Sequence, residues 1–170
     1  MSDARRIIIV GFMGAGKTTV ASALAARLNC AMIDLDELIH AREGRTPQAI
    51  IDEDGETRFR QIETRILLDA LEKTDARIIA LGGGAWTFEA NRTLINAHGC
   101  LSVWLDAPFE LCWQRIESGD EVRPFAREYD QARQLYRDRR ALYELAALRV
   151  FIEEGESADK IAARIAEQIL

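Results

Sequence analysis

The chain has 170 residues with 48% hydrophobic and 29% charged residues, and a formal net charge of −6. That length and composition fit one globular domain, residues 1–170, with a core of its own. The acidic balance argues against general nucleic-acid binding, which needs a basic face. The N-terminus leads directly into an apolar run and no segment approaches membrane-spanning length, which predicts a cytoplasmic protein.

Residues 5–10 read as a buried parallel strand. Gly11 to Thr18 follow as G-x-x-x-x-G-K-T, and a helical pattern runs from Val20 to Leu28. Strand, glycine-rich loop and helix are the setting a P-loop requires. Its glycines curl the backbone into a nest of N–H groups, and the helix aims its positive end at the same point. Lys17 is placed to reach the β- and γ-phosphates and Thr18 to ligate Mg²⁺. A plain glycine turn needs neither residue, so this stretch predicts binding of a nucleoside triphosphate.

Ala31–Ile33 is a short second strand ending at Asp34-Leu35-Asp36-Glu37. An aspartate at such a strand end supports Mg²⁺, and a second carboxylate two residues on is a candidate proton acceptor for an attacking hydroxyl. Helix capping competes, because Asp34-x-x-Glu37 resembles a capping box. Leu38–Ala41 reads as helix stopped by Gly44, and Thr46-Pro47 starts a helix that ends near Asp54-Gly55. Glu56–Leu71 is a long amphipathic helix that carries Arg60 beside Phe59.

Arg77–Leu81 is a third strand, ended by Gly82-Gly83-Gly84, where a ligand has access to bare backbone. Trp86 is either a pocket wall or core. Residues 88–97 read as helix and Cys100–Leu105 as a fourth strand. Asp106-Ala107-Pro108 is expected to cap the helix Pro108–Ile116. Glu117–Asp130 has no period and carries Arg123-Pro124, the pattern of an active-site lid. Gln131–Ala146 is an arginine-rich helix, Leu148–Ile152 a fifth strand, and Ser157 caps a last helix to Leu170. Cys30, Cys100 and Cys112 have no metal or disulfide spacing and are expected as buried thiols. His40 and His98 carry no assignment.

Alternating strands and helices make an α/β fold with a parallel sheet, whose ligands bind outside the carboxyl ends of the strands. If the first three strands are neighbours, the P-loop, the Asp pair and the glycines face one another.

The set Gly11 to Val20, Asp34-Leu-Asp36-Glu, Phe59-Arg60-x-x-Glu63, Leu81-Gly-Gly-Gly-Ala, Val122-Arg123-Pro124 and Arg140-Ala-Leu-Tyr143 resembles the shikimate kinase family over nearly the whole chain. The resemblance implies a three-layer P-loop kinase fold with a five-stranded parallel sheet of order 2-3-1-4-5. It implies a substrate-binding segment at about 34–62 and a lid at about 117–130. By resemblance, Gly14, Ala15, Gly16, Lys17, Thr18 and Thr19 hold the ATP phosphates, and Arg115 packs on adenine. Thr18 and Asp34 serve Mg²⁺. Asp36 binds ring hydroxyls and is the base or orienting group for the 3-hydroxyl of shikimate. Arg60 and Arg140 bind the substrate carboxylate, Gly82, Gly83 and Gly84 contact the substrate, and Arg123 stabilises phosphoryl charge.

Two runs depart from the family pattern, and the stretch from Arg123 to Arg140 is slightly compact beside it. The lid reads Arg123-Pro-Phe-Ala where Arg-Pro-Leu-Leu is usual. Arg139-Arg140-Ala-Leu-Tyr143 stands for Arg-x-Pro-Leu-Tyr, which leaves Arg139 as the alternative carboxylate ligand. The implied function is ATP-dependent phosphorylation of shikimate by a monomer. A kinase for another small hydroxy acid, such as gluconate, is the first alternative. An ATP-binding module without turnover is the second, and a nucleic-acid-dependent ATPase the third.

Overall fold

The computed structural model describes residues 5–119 and 128–169. Five strands, β1 (Ile7–Val10), β2 (Met32–Asp34), β3 (Ile78–Ala80), β4 (Leu101–Asp106) and β5 (Leu148–Phe151), form one sheet of order β2-β3-β1-β4-β5. Every pairing is parallel, with Ile9 opposite Ala80 on one side and Val103 on the other. The implied topology is therefore the observed one.

β1 is central, and Ile7, Ile8, Ile9 and Val10 are all buried. An unbroken apolar run is what a parallel strand covered on both faces requires. Truncating one such side chain to alanine costs about 2–5 kcal/mol. Helices alternate with the strands: α1 (Lys17–Leu28), α2 (Leu35–Glu43), α3 (Pro47–Asp54), α4 (Glu56–Lys73), α5 (Glu89–Ala97), α6 (Phe109–Ser118), α7 (Tyr129–Tyr143) and α8 (Ala158–Ile169). α1 packs with α8, while α4 packs with α2, α3 and α5.

Several boundaries differ from the sequence reading for local reasons. α1 begins at Lys17, inside the P-loop motif, because Gly16 at φ 89° turns the chain directly into the helix. α2 begins at Leu35, since the Asp34 carboxylate accepts from Glu37 N at 3.0 Å and caps it. α7 starts at Tyr129 and stops at Tyr143. Among the described residues no side chain caps α6, and the Asp106 carboxylate is turned to two arginines instead. The expected Asp106 cap is thus a correction: paired guanidiniums outcompete backbone N–H groups for a buried carboxylate. Cys112 is buried as expected, whereas Cys30 and Cys100 are only half-buried.

Parallel pairing puts all carboxyl ends on one edge. Asp34 lies opposite Ala80, and Ala80 opposite Ile9. The Asp pair, the three glycines and the P-loop therefore leave three adjacent strands side by side.

Candidate active site

The P-loop is shaped by close packing. Gly14 has φ 78°, and a Cβ there would lie 2.5 Å from the Cys112 carbonyl oxygen, so only glycine fits. Among the described residues no side chain caps α1 and no acidic residue stands in its first turn. Its positive end is thus left to an anionic ligand. Lys17 is 9% exposed and donates from Nζ to the carbonyls of Gly11 and Phe12, at 2.9 Å each. Arg115 Nη1 donates to the Gly14 carbonyl at 3.1 Å, so the arginine lies over the loop.

Thr18 and Asp34 meet. The Thr18 hydroxyl donates to Asp34 Oδ2 at 2.5 Å, while Asp34 Oδ1 serves the α2 cap. Capping and metal support are not exclusive here, because each oxygen has its own task. Two hard oxygen donors in contact suit a divalent cation that binds chiefly through waters and phosphates.

The acceptor side is built around the glycines after β3. A methyl on Gly82 would lie 2.7 Å from Asp36 Oδ1. One on Gly83 would lie 3.2 Å from Met13 N and 3.4 Å from Arg139 Nη1. One on Gly84 would overlap the Arg60 guanidinium and lie 3.0 Å from Arg139 Nη2. Asp36, Arg60, Arg139 and the P-loop therefore converge on bare backbone.

Arg60 is oriented from below. Its Nη1 donates to Glu63 Oε1 at 2.7 Å, and the Glu63 side chain is 1% exposed. Burial pushes the Glu63 carboxyl up to about 7, with Arg60 opposing the rise. Asn91 Nδ2 bonds the Ala85 carbonyl at 2.9 Å and reaches Glu63 at 3.4 Å, tying this network to the segment after the glycines.

Arg139, and not Arg140, is the α7 arginine beside Arg60. Its Nη1 is buried with no hydrogen-bond partner among the described residues. Burial lowers its proton affinity, and the nearby Arg60 charge adds to that. The neighbouring Tyr143 is pushed up to about 12 by burial, so its hydroxyl stays protonated and donates to the Gly83 carbonyl at 2.6 Å. Two guanidiniums with one buried counter-charge form a site for an anion.

Arg140 points elsewhere. Its Nη1 and Nη2 donate to Asp106 at 2.7 and 3.3 Å, and its guanidinium lies 5.1 Å above the Trp104 ring. The sequence assignment of the carboxylate to Arg140 is therefore corrected: adjacent helical residues diverge by about 100°, so only one of the pair faces the glycines. Counting Arg-x-Pro-Leu-Tyr back from Tyr143 lands on Arg139, with Ala141 in place of proline. That count, and the shared helix face of residues four apart, was the available signal. Trp86 is core, 1% exposed, and its Nε1 donates to the Leu142 carbonyl at 2.8 Å. Arg123 lies outside the described residues.

A model of the shikimate kinase family matches residues 13–170. The chain belongs to that family. It is 38% identical over 170 residues to a shikimate kinase of Ruegeria pomeroyi, covering 95% of this chain and 85% of that one. A shikimate kinase of Salinibacter ruber is 43% identical over 133 residues, 78% of this chain and 64% of its own. Among solved structures, shikimate kinase from Acinetobacter baumannii in complex with shikimate superposes with a TM-score of 0.89 at 33% identity, over 98% of this chain and 93% of that one. In this family ATP is the co-substrate.

Proposed function

We infer that the chain transfers the γ-phosphoryl group of ATP to the 3-hydroxyl of shikimate, giving shikimate 3-phosphate and ADP for aromatic amino acid synthesis. The observation that carries this reading is Gly83, where an added Cβ would lie 3.2 Å from Met13 N of the P-loop and 3.4 Å from Arg139 Nη1 on the acceptor side. The P-loop and an acceptor-side arginine thus approach the same glycine, which supports the proximity of donor and acceptor that a transfer needs.

In this reading Arg60 and Arg139 clamp the shikimate carboxylate, and Arg139 Nη1 gains the partner it lacks. Asp36, against Gly82, accepts from the ring hydroxyls and orients the 3-hydroxyl, whose proton it takes as the phosphorus–oxygen bond forms. Backbone of Gly82, Gly83 and Gly84 lines the ring. Gly14 to Thr19 hold the phosphates, Lys17 exchanging its loop carbonyls for phosphate oxygens. Arg115 covers adenine, and Arg123 is the arginine that stabilises charge on the transferring group. Thr18 and Asp34 would hold Mg²⁺, which would supply neutralisation of charge on the ATP phosphates. The reading is of one kinase domain, with an acceptor segment at about 34–62 and a lid at about 117–130. Among the described residues no helix is long and apolar enough to cross a membrane. A cytoplasmic monomer is the simplest form.

ADP release with MgATP and shikimate, quinate or gluconate tests the acceptor. Turnover is expected with shikimate, and a loss of at least about a hundredfold in Lys17→Ala and Arg60→Ala, the scale of a lost charged contact in the transition state. Turnover of gluconate without shikimate overturns the acceptor. Full activity in Arg60→Ala overturns its role.

A further inference from the structure

Arg139 does not set its own direction. Its Nη1 is buried without a partner among the described residues, and Tyr143, which hydrogen-bonds its side chain, lies on the same helix, so α7 must aim it. The last turns of α7 are fixed from two sides. Towards the glycines, Tyr143 donates to the Gly83 carbonyl and Trp86 to the Leu142 carbonyl. Towards β4, the anchor is Asp106.

Asp106 ends β4 and is 5% exposed. It accepts four charge-assisted hydrogen bonds: two from Arg140, and two from Arg149 at 2.9 and 2.7 Å. Arg140 also donates to the Tyr136 hydroxyl at 2.8 Å, and that hydroxyl donates to the Ala107 carbonyl at 2.7 Å. Tyr136 in turn meets Phe12 of the P-loop edge to face, with ring centroids 5.2 Å apart. One turn of α7 is thus pinned to the carboxyl end of β4 through the residue next to Arg139.

We propose that Asp106 and Arg140 are positioning residues, an ion pair that fixes the rotation of α7 so that Arg139 faces the acceptor carboxylate. The pair does a second thing. Asp106 holds the Arg140 guanidinium at the end of β4, turned from the glycines, so a second cation one residue away does not compete with Arg139 for the anion. Neither residue touches substrate in this account. Bidentate pairing gives the geometric precision needed, since a fork held at two nitrogens resists rotation. The proposal rests on the reading of Arg139 as a carboxylate ligand.

Steady-state kinetics on Arg140→Ala, Arg139→Ala and the double variant test it. Arg140 is the variant of choice because its side chain is 30% exposed and its removal opens no deep cavity. Asp106→Asn, which keeps the side-chain size, serves as the second, with Tm recorded for each. Arg140→Ala is expected to raise the shikimate KM about tenfold and to leave the ATP KM within about twofold. In the Arg139→Ala background the same change is expected to move the shikimate KM by less than about twofold, because the group being aimed is gone. An unchanged shikimate KM in both Arg140→Ala and Asp106→Asn overturns the proposal. So does an equal rise in both KM values, which marks general loosening. A full, independent rise in the Arg139→Ala background also overturns it, and returns a direct contact to Arg140. If Arg139→Ala alone leaves the shikimate KM unchanged, the ligand reading falls and this proposal with it. A large effect of Arg139→Ala beside none of Arg140→Ala removes only the positioning role.

Discussion

The Thr18 hydroxyl donates to the Asp34 carboxylate at 2.5 Å, joining the first turn of α1 to the end of β2. Asp34 also caps α2, so replacement has two effects that must be separated. Asn caps as well as Asp does. Asp34→Asn is therefore expected to keep Tm nearly unchanged while weakening the apparent Mg²⁺ affinity in activity titrations about 10–100-fold, the usual effect of an outer-shell metal partner. Unchanged Mg²⁺ dependence would remove Asp34 from the metal site.

Glu63 predicts a pH dependence of stability. Burial raises its carboxyl to about 7 in the fold, against an ordinary glutamate value of about 4.3 in the unfolded chain. The folded state thus binds the proton more tightly. The contribution is fully present below about pH 4 and is lost as pH rises through about 7. In urea titrations the wild type should lose stability over that window relative to Glu63→Gln, which has no proton to release. A constant difference between the two across pH 4–8 would contradict the buried ionisation.

Gly84 has φ −95° and ψ −13°, a conformation alanine adopts freely. The obstacle is the Arg60 guanidinium, which a methyl would displace. A flexible side-chain end gives way more readily than backbone. Gly84→Ala should therefore leave Tm within a few degrees and raise the shikimate KM by about tenfold or more, the cost of losing a charge-assisted contact. A normal KM would place the Arg60 guanidinium away from the acceptor.

Arg6 carries stability and no chemistry. Its Nε, Nη1 and Nη2 donate to the carbonyls of Ala76, Leu71 and Thr74 at 2.7, 2.6 and 2.7 Å. It closes the C-terminal end of α4 and ties it to the chain entering β1. Arg6→Ala should cost about 2–3 kcal/mol in chemical denaturation, the range for bonds to a charged donor, with kcat unchanged. A loss below about 0.5 kcal/mol would show the clamp to be solvated in effect.

Much of the site was legible because its signals are local. The P-loop is spelled by glycine spacing plus Lys17 and Thr18, and Asp34, Asp36 and the three glycines stand at strand ends that one parallel sheet must bring together. Arg60 was legible only through resemblance, since its spacing marks it as surface as readily as site. What failed to show was rotational. Nothing local in Arg139-Arg140 says which faces the glycines; that depends on Asp106, more than thirty residues earlier, which the sequence offers as a helix cap. Glu63 stood in the Phe59-Arg60-x-x-Glu63 run without an assigned role, and Asn91 was hidden, for a related reason. Each reads as an ordinary helix residue until packing places them under Arg60.

The central claim is transfer to the 3-hydroxyl of shikimate, and the product tests it most directly. The chain should be incubated with MgATP and shikimate, and the product identified by phosphorus–proton correlation NMR. Coupling of the new phosphate to the ring proton at carbon 3, with ADP formed in equal amount, is the predicted result. Phosphate on another hydroxyl, or ADP formed without a phosphorylated shikimate, would contradict it.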